Sequence, residues 1–176
     1  MAIIIPAWVD GMLQPVEKLD AHLRGLRHKA VSIFVISGDY ILIQQRAMCK
    51  YHTPGQWANT CCTHPDWQED PHRCATRRLN EELGITKLPL HHRGQVEYRA
   101  HVGGGLIEHE VVEVYTAHTQ FNLQLAPNPE EVMATRWVSI TDLQNQLATT
   151  PEIFTPWLHI YMEQHSEMIF KEMAGV

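Results

Sequence analysis

Apolar residues alternate or cluster along several short segments, which predicts strands. These segments are residues 30–36, 40–45, 58–62, 95–102, 106–117 and 135–138. A Ser-Gly-Asp sequence at residues 37–39 separates the first two, so we predict a β-hairpin there. Three glycines at residues 103–105 separate the two longest strands and predict a turn.

Other segments repeat their apolar residues every three or four positions, which predicts helices. The predicted helices cover residues 15–27, 71–83, a short segment from Ser139 or Thr141, and residues 155 to about 172. Asp70 and Pro71 mark the start of the second helix and Gly84 its end, while Pro15 suits the first turn of the first helix. Hairpins and helices without strict βαβ alternation predict an α+β fold, with a mixed sheet packed between helices.

The composition is that of a single globular domain. The chain has 176 residues, of which 44% are hydrophobic and 19% charged. Its net charge of −6 speaks against a nucleic-acid or anionic-membrane surface, although it is compatible with a local basic pocket. The longest apolar runs, residues 3–5 and 31–36, are far shorter than the roughly 20 residues that a membrane span needs. We therefore expect no nucleic-acid or membrane partner, and a monomer or weak homodimer.

Cysteine and histidine supply the candidate chemistry. The N-terminal sequence lacks the positive region of a secretory signal, so we predict a cytoplasmic protein with free thiols. The cysteines are Cys49, Cys61, Cys62 and Cys74. The chain also has 12 histidines, and histidine is the commonest metal ligand. Where these side chains cluster therefore decides where a metal could bind.

The predicted helix at residues 71–83 and the segment before it carry a specific charge pattern. Its charged residues include, in order, Glu69, Arg77, Arg78, Glu81 and Glu82. The pattern resembles the Nudix box, in which carboxylates on a helix hold a divalent metal against a diphosphate. Arg78 stands where the box has a second glutamate and Thr63 where it has a glycine, which argues against ordinary Nudix hydrolysis. The alternative is a solvated helix face on which Arg78 and Glu82 pair at i, i+4.

Two short segments place pairs of reactive side chains on one face of a strand. If the sequence around them is extended, Cys62 and His64 point to one side and Cys61 to the other. Such a pair suits a nucleophile with its base or a thiol beside a metal ligand, although a packed cysteine near an incidental histidine is commoner. Glu108 and Glu110 also share a face, where like charges raise a carboxyl pKa unless a cation lies between them. A solvated sheet face is the alternative.

Taken in order, these segments resemble the type I isopentenyl-diphosphate isomerases, which have a modified Nudix fold. The resemblance extends over residues 8–162 and rests on TCCTHP at residues 60–65, on IEHEV at residues 107–111 and on the altered box. It implies a tightly bound zinc or manganese ion, whose ligands are His22, His28, His64, Glu108 and Glu110. It also implies a Mg²⁺ held by Glu82 on the substrate diphosphate, and basic residues around that diphosphate at Lys18, Arg46, Lys50 and Arg78. Taken alone, His22 and His28 would more often be surface or capping histidines.

The resemblance further implies interconversion of isopentenyl and dimethylallyl diphosphate, in isoprenoid precursor biosynthesis, by proton transfer on two faces of the substrate. Cys62, as a thiolate, would be the base, and Glu110, assisted by Tyr98, the acid. Trp157 would stabilise the carbocation, and it would also pack the last helix onto the sheet. The implied domain has an N-terminal extension over residues 1–29, a Nudix core over residues 30–140 and a C-terminal helix over residues 155–173.

Two other functions stay open at this point. A Nudix-type diphosphate hydrolase would release phosphate or a monophosphate, and a non-catalytic metal-binding module would have no use for Cys62 and Tyr98. The remaining histidines form no constellation, and we assign no role to His52, His72, His91, His92, His101, His118, His159 and His165.

Overall fold

A computed structural model describes residues 2–171 and contains a mixed sheet with helices on both faces. The strands are β1 (Ile4–Val9), β2 (Met12–Glu17), β3 (His28–Ser37), β4 (Tyr40–Arg46), β5 (Trp57–Ala58), β6 (Cys61–Thr63), β7 (His91–His101), β8 (Ile107–His118) and β9 (Val132–Ser139). The helices are α1 (Lys18–Arg24), α2 (Pro71–Leu83), α3 (Ile140–Thr149), α4 (Pro156–Gln164) and α5 (Ser166–Phe170), with a 3₁₀ turn at Pro151–Ile153. Within residues 2–171, no helix is long and apolar enough to cross a membrane.

The centre of the sheet is β3, which is buried on both faces. It pairs in parallel with β8 and antiparallel with β4 and β6. Val31, Ile33 and Val35 pack toward α2, whereas Phe34 packs on the other face with Tyr161 of α4. This two-sided burial explains the continuous apolar run of β3. The predicted α+β fold, with a mixed sheet between helices, is confirmed.

Helix α2 has the boundaries that its sequence predicts. The side chain of Asp70 accepts a hydrogen bond from the backbone N–H of Arg73 at 3.0 Å. Gly84 ends the helix in the left-handed conformation, with φ of 68°. A Cβ atom at this position would lie 2.7 Å from the Cβ of Ala126, so glycine is required for space as well as for conformation.

Two buried polar side chains connect β5 to β6 and divide the predicted strand at residues 58–62. Asn59 Nδ2 donates to Ser32 Oγ at 2.8 Å and to the carbonyl of Ile33 at 3.0 Å. Thr60 Oγ1 donates to the carbonyl of Leu42 at 2.5 Å. These bonds tie the connection to both β3 and β4, so β6 and the cysteines on it have a fixed position.

Glu69 anchors the loop before α2 through Arg77. Arg77 donates to both carboxylate oxygens of Glu69, at 2.8 and 2.7 Å. These hydrogen bonds lower the pKa of Glu69 from 4.5 to about 2. The ionised form therefore stabilises the folded state above pH 4.5, and this contribution disappears as the pH falls toward 2.

Glu69→Gln should lower the free energy of unfolding at neutral pH by about 2 kcal/mol, because charged hydrogen bonds are lost. Urea unfolding of both proteins measures this difference. The difference between the two proteins should narrow as the pH is lowered from 4.5 to about 3, because Glu69 of the unfolded wild-type chain takes up a proton in this range while the folded form stays ionised. A difference that is independent of pH would mean that the ion pair does not stabilise the fold.

The N-terminal prediction of a helix over residues 15–27 is wrong at both ends, because the helix covers only Lys18–Arg24 and Gly25 ends it. Pro15 lies in β2, opposite Pro6 of β1, in an antiparallel hairpin. The hairpin turn is Asp10 and Gly11, both with positive φ, a dipeptide typical of two-residue hairpin turns. The helix begins only at Lys18, where the side chain of Glu17 accepts from the backbone N–H of Asp20 at 2.8 Å.

The predicted last helix is also divided. Helix α4 starts after Thr155 as predicted, but it ends before His165, and α5 continues after this residue. Residues 172 and 173 of the prediction lie outside the described part of the chain. The short helix predicted from Ser139 or Thr141 is α3, and the first of these starts is correct, because Ser139 is its N-cap.

Candidate active site

A polar cleft collects side chains from the helices and strands around the centre of the sheet. The predicted site residues that line it are Lys18, Arg46, Lys50, Cys62, His64, Arg78, Glu82, Glu108, Glu110 and Trp157. The other three predicted residues are His22, His28 and Tyr98, and each contacts Glu108 or Glu110. The structure therefore brings all the predicted site residues into one region.

Four of these residues form a buried group that could hold a metal ion. One ligand atom from each of His22, His28, His64 and Glu108 lies within 4.8 Å of the others. We refer to the three imidazoles of this group as the histidine group. The residues come from α1, from β3, from the loop after β6 and from β8. The parallel pairing of β3 and β8 places His28 opposite Glu110, so the register of the sheet brings the imidazoles to the carboxylates.

The ring orientations in this group fit a metal site. Nδ1 of His22 lies 2.6 Å from the carbonyl of Lys18, and Nδ1 of His28 lies 2.7 Å from the carbonyl of Leu26. Because a carbonyl only accepts, each Nδ1 carries a proton and each Nε2 faces the group. Metal-binding histidines typically have this arrangement.

Unpartnered nitrogen atoms point to the same conclusion. Among the residues described, Nε2 of His22 and both ring nitrogens of His64 lack a hydrogen-bond partner. Nε2 of His22 lies 3.0 Å from Glu108 Oε2 without hydrogen-bond geometry. A divalent cation would satisfy these buried atoms, so the donor set fits such an ion.

The two carboxylates are buried, with residue exposures of 2% for Glu108 and 1% for Glu110. Burial alone would raise both pKa values, but the surrounding imidazoles lower the pKa of each, that of Glu108 most strongly. Conversely, although burial would lower it, hydrogen bonds to the two carboxylates raise the pKa of His28 to about 9. The site therefore attracts positive charge, which a proton or a metal can supply. The alternative of a solvated sheet face is wrong.

Glu110 also contacts a buried tyrosine. Tyr98 Oη donates to Glu110 Oε2 at 2.5 Å, while Glu110 Oε1 lies 3.0 Å from His64 Nε2. Glu110 thus lies between Tyr98 and the histidine group. This geometry suits a carboxyl group whose proton is transferred to or from a neighbour.

The two adjacent cysteines lie on opposite faces of the sheet, as alternation predicts. Cys61 is buried in the apolar cluster beneath α2, whereas Cys62 lines the cleft. Burial raises the pKa of the Cys62 thiol well above its ordinary value, and the charges of Glu110 and Glu108 raise it further. A cation that neutralises these carboxylates would favour the thiolate.

The basic side of the cleft is connected by ion pairs. Arg78 donates to Glu82 Oε1 at 2.7 Å and to Glu131 Oε1 at 3.1 Å, and Lys50 pairs with Glu131. Arg78 Nε also donates to Thr63 Oγ1 at 3.2 Å, so the two departures from the Nudix box contact each other. The i, i+4 pair of Arg78 and Glu82 is present, but Glu82 is buried, so this part of the helix face is not solvated.

Trp157 both packs α4 onto the sheet and lines the cleft. The side chain is buried in the cluster that joins α4 to the sheet, and its residue also lines the cleft. The Arg46 guanidinium lies 5.3 Å from the ring centroid. The ring can therefore pack the helix and present a π surface to the cleft.

Sequence reasoning missed several residues that line the cleft: Gln44, Tyr51, His52 and Glu131. His52 is buried, and its Nε2 lies 3.0 Å from Glu108 Oε1. Desolvation by burial lowers the pKa of His52 to about 4, so the ring is neutral at physiological pH. Its position only two residues after Lys50 was the available signal, whereas no local pattern marks Glu131.

Comparison with known proteins identifies the family of this chain. A model of the NUDIX domain family matches residues 26–158. Proteins named isopentenyl-diphosphate Delta-isomerase from Roseobacter denitrificans and Rhodobacter capsulatus are each 61% identical to this chain, the first over 99% and the second over 98% of both chains.

Solved structures agree on the fold. A Deinococcus radiodurans protein superposes with a TM-score of 0.74 at 14% identity, covering 91% of this chain and 97% of its own. A MutT NUDIX hydrolase from Burkholderia pseudomallei gives 0.61 at 24% identity, covering 79% and 98%. At such identities these two matches show the fold alone. Together with the relatives at 61% identity, they establish that this chain belongs to the isopentenyl-diphosphate Delta-isomerase family and has a NUDIX fold.

Proposed function

We propose that this enzyme interconverts isopentenyl diphosphate and dimethylallyl diphosphate through the cleft described above. One observation carries the proposal. The Cys62 thiol, the buried Glu110 carboxylate with its hydrogen bond from Tyr98, and the basic side of the cleft lie together in one site. Relatives named for this reaction match nearly the whole chain. The reaction serves isoprenoid precursor biosynthesis.

The basic side of the cleft would bind the diphosphate. Lys18, Arg46, Lys50 and Arg78 all line this part of the cleft. Burial lowers the pKa of Lys18, and the neighbouring cations lower it further, although Glu108 opposes them. A diphosphate would relieve this crowding of positive charge, which supports binding here. Glu82 is the carboxylate that would hold Mg²⁺ beside the phosphates.

Proton transfer would occur at the opposite end of the substrate. Glu110, hydrogen-bonded to Tyr98 Oη, would deliver a proton to the terminal alkene carbon. Cys62, as a thiolate, would remove a proton from the allylic carbon. The π face of Trp157 would stabilise the positive charge that develops between these events, a contact that can reach about 2 kcal/mol when desolvated.

The proposed ligands of the tightly bound divalent ion are His22, His28, His64, Glu108 and Glu110. Three imidazoles and two carboxylates suit Zn²⁺ or Mn²⁺. When bound, such an ion would orient Glu110 and offset the negative charge that raises the pKa of Cys62. The buried nitrogens of His22 and His64 that lack partners among the described residues support this assignment.

Diphosphate hydrolysis is the alternative function, and the contacts of Arg78 argue against it. This guanidinium occupies a position where the Nudix box has a glutamate, and it donates to Glu82. A cation here favours holding the phosphates, whereas hydrolysis needs an anionic group for the metal and the attacking water.

The direct test is incubation of the full chain with isopentenyl diphosphate, Mg²⁺ and Mn²⁺ in deuterated water. We expect dimethylallyl diphosphate that contains deuterium, because the proton is delivered by an exchangeable side chain. Nuclear magnetic resonance detects the label, and a phosphate assay runs in parallel. Release of phosphate or a monophosphate without isomerisation would establish the hydrolase instead.

We also propose a single domain with three parts: an extension over residues 1–29, a core over residues 30–140 and a C-terminal helix over residues 155–173. The contact of His22 with Glu108 of β8 supports the inclusion of the extension and the core in one domain.

We further propose a cytoplasmic monomer or weak homodimer without nucleic-acid or membrane partners. The free state of all four cysteines and the net charge of −6 support this.

A further inference from the structure

The two carboxylate oxygens of Glu108 have different neighbours. Oε2 faces the histidine group, at 3.0 Å from His22 Nε2 and 3.3 Å from His28 Nε2. Oε1 lies 3.0 Å from Nε2 of His52. His52 is not among the residues whose ligand atoms meet within 4.8 Å. It therefore contacts the carboxylate from outside the group.

The His52 ring is held from several sides. It stacks on the His22 ring at a centroid distance of 5.6 Å and meets the edge of Trp157 at 5.9 Å. Nδ1 lies 3.2 Å from Thr53 Oγ1. When the Thr53 hydroxyl donates to Nδ1, the ring proton is on Nε2, the nitrogen that lies nearest to Glu108.

The backbone at this loop is specialised as well. Thr53 has a positive φ of 47°, which is rare for a β-branched residue, and such conformations concentrate at functional sites. The carbonyl of His52 accepts a hydrogen bond from Arg46 Nη2 at 3.2 Å. His52 thus contacts Glu108 through its side chain and Arg46, on the basic side of the cleft, through its backbone carbonyl.

We propose that His52 is a positioning residue whose Nε2, 3.0 Å from Glu108 Oε1, keeps Oε2 directed at the histidine group. The role rests on the proposed function in one respect, because it takes Glu108 as a metal ligand. Residues that hold a metal ligand in this way typically contribute a factor of about 10 to 100 in metal affinity. His52 would therefore set how tightly the divalent ion is held without binding it.

Two substitutions of similar polarity separate this role from simple packing. In His52→Gln the side-chain amide nitrogen can reach the position of Nε2, whereas in His52→Asn the amide reaches only the position of Nδ1. The full chain is stripped of metal and titrated with Mn²⁺ alone. We expect His52→Asn to weaken Mn²⁺ binding by about 10-fold to 100-fold and His52→Gln to restore most of the affinity.

The backbone carbonyl of His52 is present in both variants, so the contact with Arg46 should persist. His92 is the matched control, since it is exposed and its Nε2 contacts Glu113 at 2.6 Å, away from the cleft. His92→Asn and His92→Gln should both keep the wild-type affinity.

Equal Mn²⁺ affinity in wild type and His52→Asn would overturn the positioning role. Equal weakening in the Asn and Gln variants would overturn it too, because it would indicate packing and not the Nε2 contact. A wild-type chain that binds no Mn²⁺ or Zn²⁺ would refute the metal site and this role together. A chain that binds metal but does not isomerise the substrate would refute the proposed function alone.

Discussion

Cys62→Ala is expected to remove nearly all isomerase activity, whereas Cys61→Ala should keep most of it. Cys62 lines the cleft with Glu110, and Cys61 lies on the other face of β6, among apolar residues. Loss of a proton-transfer group typically lowers the rate by a factor of about 10² to 10⁴. The value of kcat/KM for isopentenyl diphosphate, measured with both variants and wild type, gives the comparison.

The control is strict because the two residues are adjacent and undergo the same substitution. Cys61→Ala leaves a small cavity in a fully buried position, so it should cost stability, about 1 kcal/mol, and not activity. Metal content should be unchanged in both variants, since neither thiol belongs to the metal-binding group. Equal losses of activity would contradict the assignment of Cys62 as the base.

Local sequence signals predicted the elements that local interactions determine. Helix α2 has a capping aspartate at its start and a glycine at its end, and it forms between them. The hairpin of β3 and β4 likewise follows from two apolar runs around Gly38. Each of these elements depends on residues close together in sequence, so a single sequence contains enough information.

The N-terminal region shows where local reasoning fails. Apolar spacing over residues 15–27 fits a helix, yet pairing with β1 draws Pro15 into a strand. The Asp10-Gly11 dipeptide is the local signal for that hairpin. Tertiary pairing overrode the helical spacing up to Glu17, where capping starts the helix.

The site depended on the family resemblance because its closure is nonlocal. Periodicity shows that Glu108 and Glu110 share a face, but the parallel register that places His28 opposite Glu110 cannot be read from spacing. His52 illustrates the remaining gap. It lies in a loop without periodicity, and only the folded chain brings its ring to Glu108.

His22→Ala should lower metal content and stability together, because His22 connects α1 to Glu108 of β8. Loss of one ligand should weaken metal binding by tens-fold or more. Each tenfold loss removes about 1.4 kcal/mol of metal-linked stability when metal is in excess. For a chain of this length the Tm in metal-containing buffer should fall by about 2–4 °C per kcal/mol.

His109 provides the matched control, since it lies between the two carboxylates in sequence but contacts Glu97, at 3.3 Å. His109→Ala should keep the wild-type metal content, measured by elemental analysis of proteins purified side by side. Stripping the metal from wild type and His22→Ala should shrink their difference in Tm, because the ion is the link that the variant loses. If His22 only packs α1, metal content would equal that of wild type and the Tm difference would persist without metal. Equal metal content would thus exclude His22 from the ligand set.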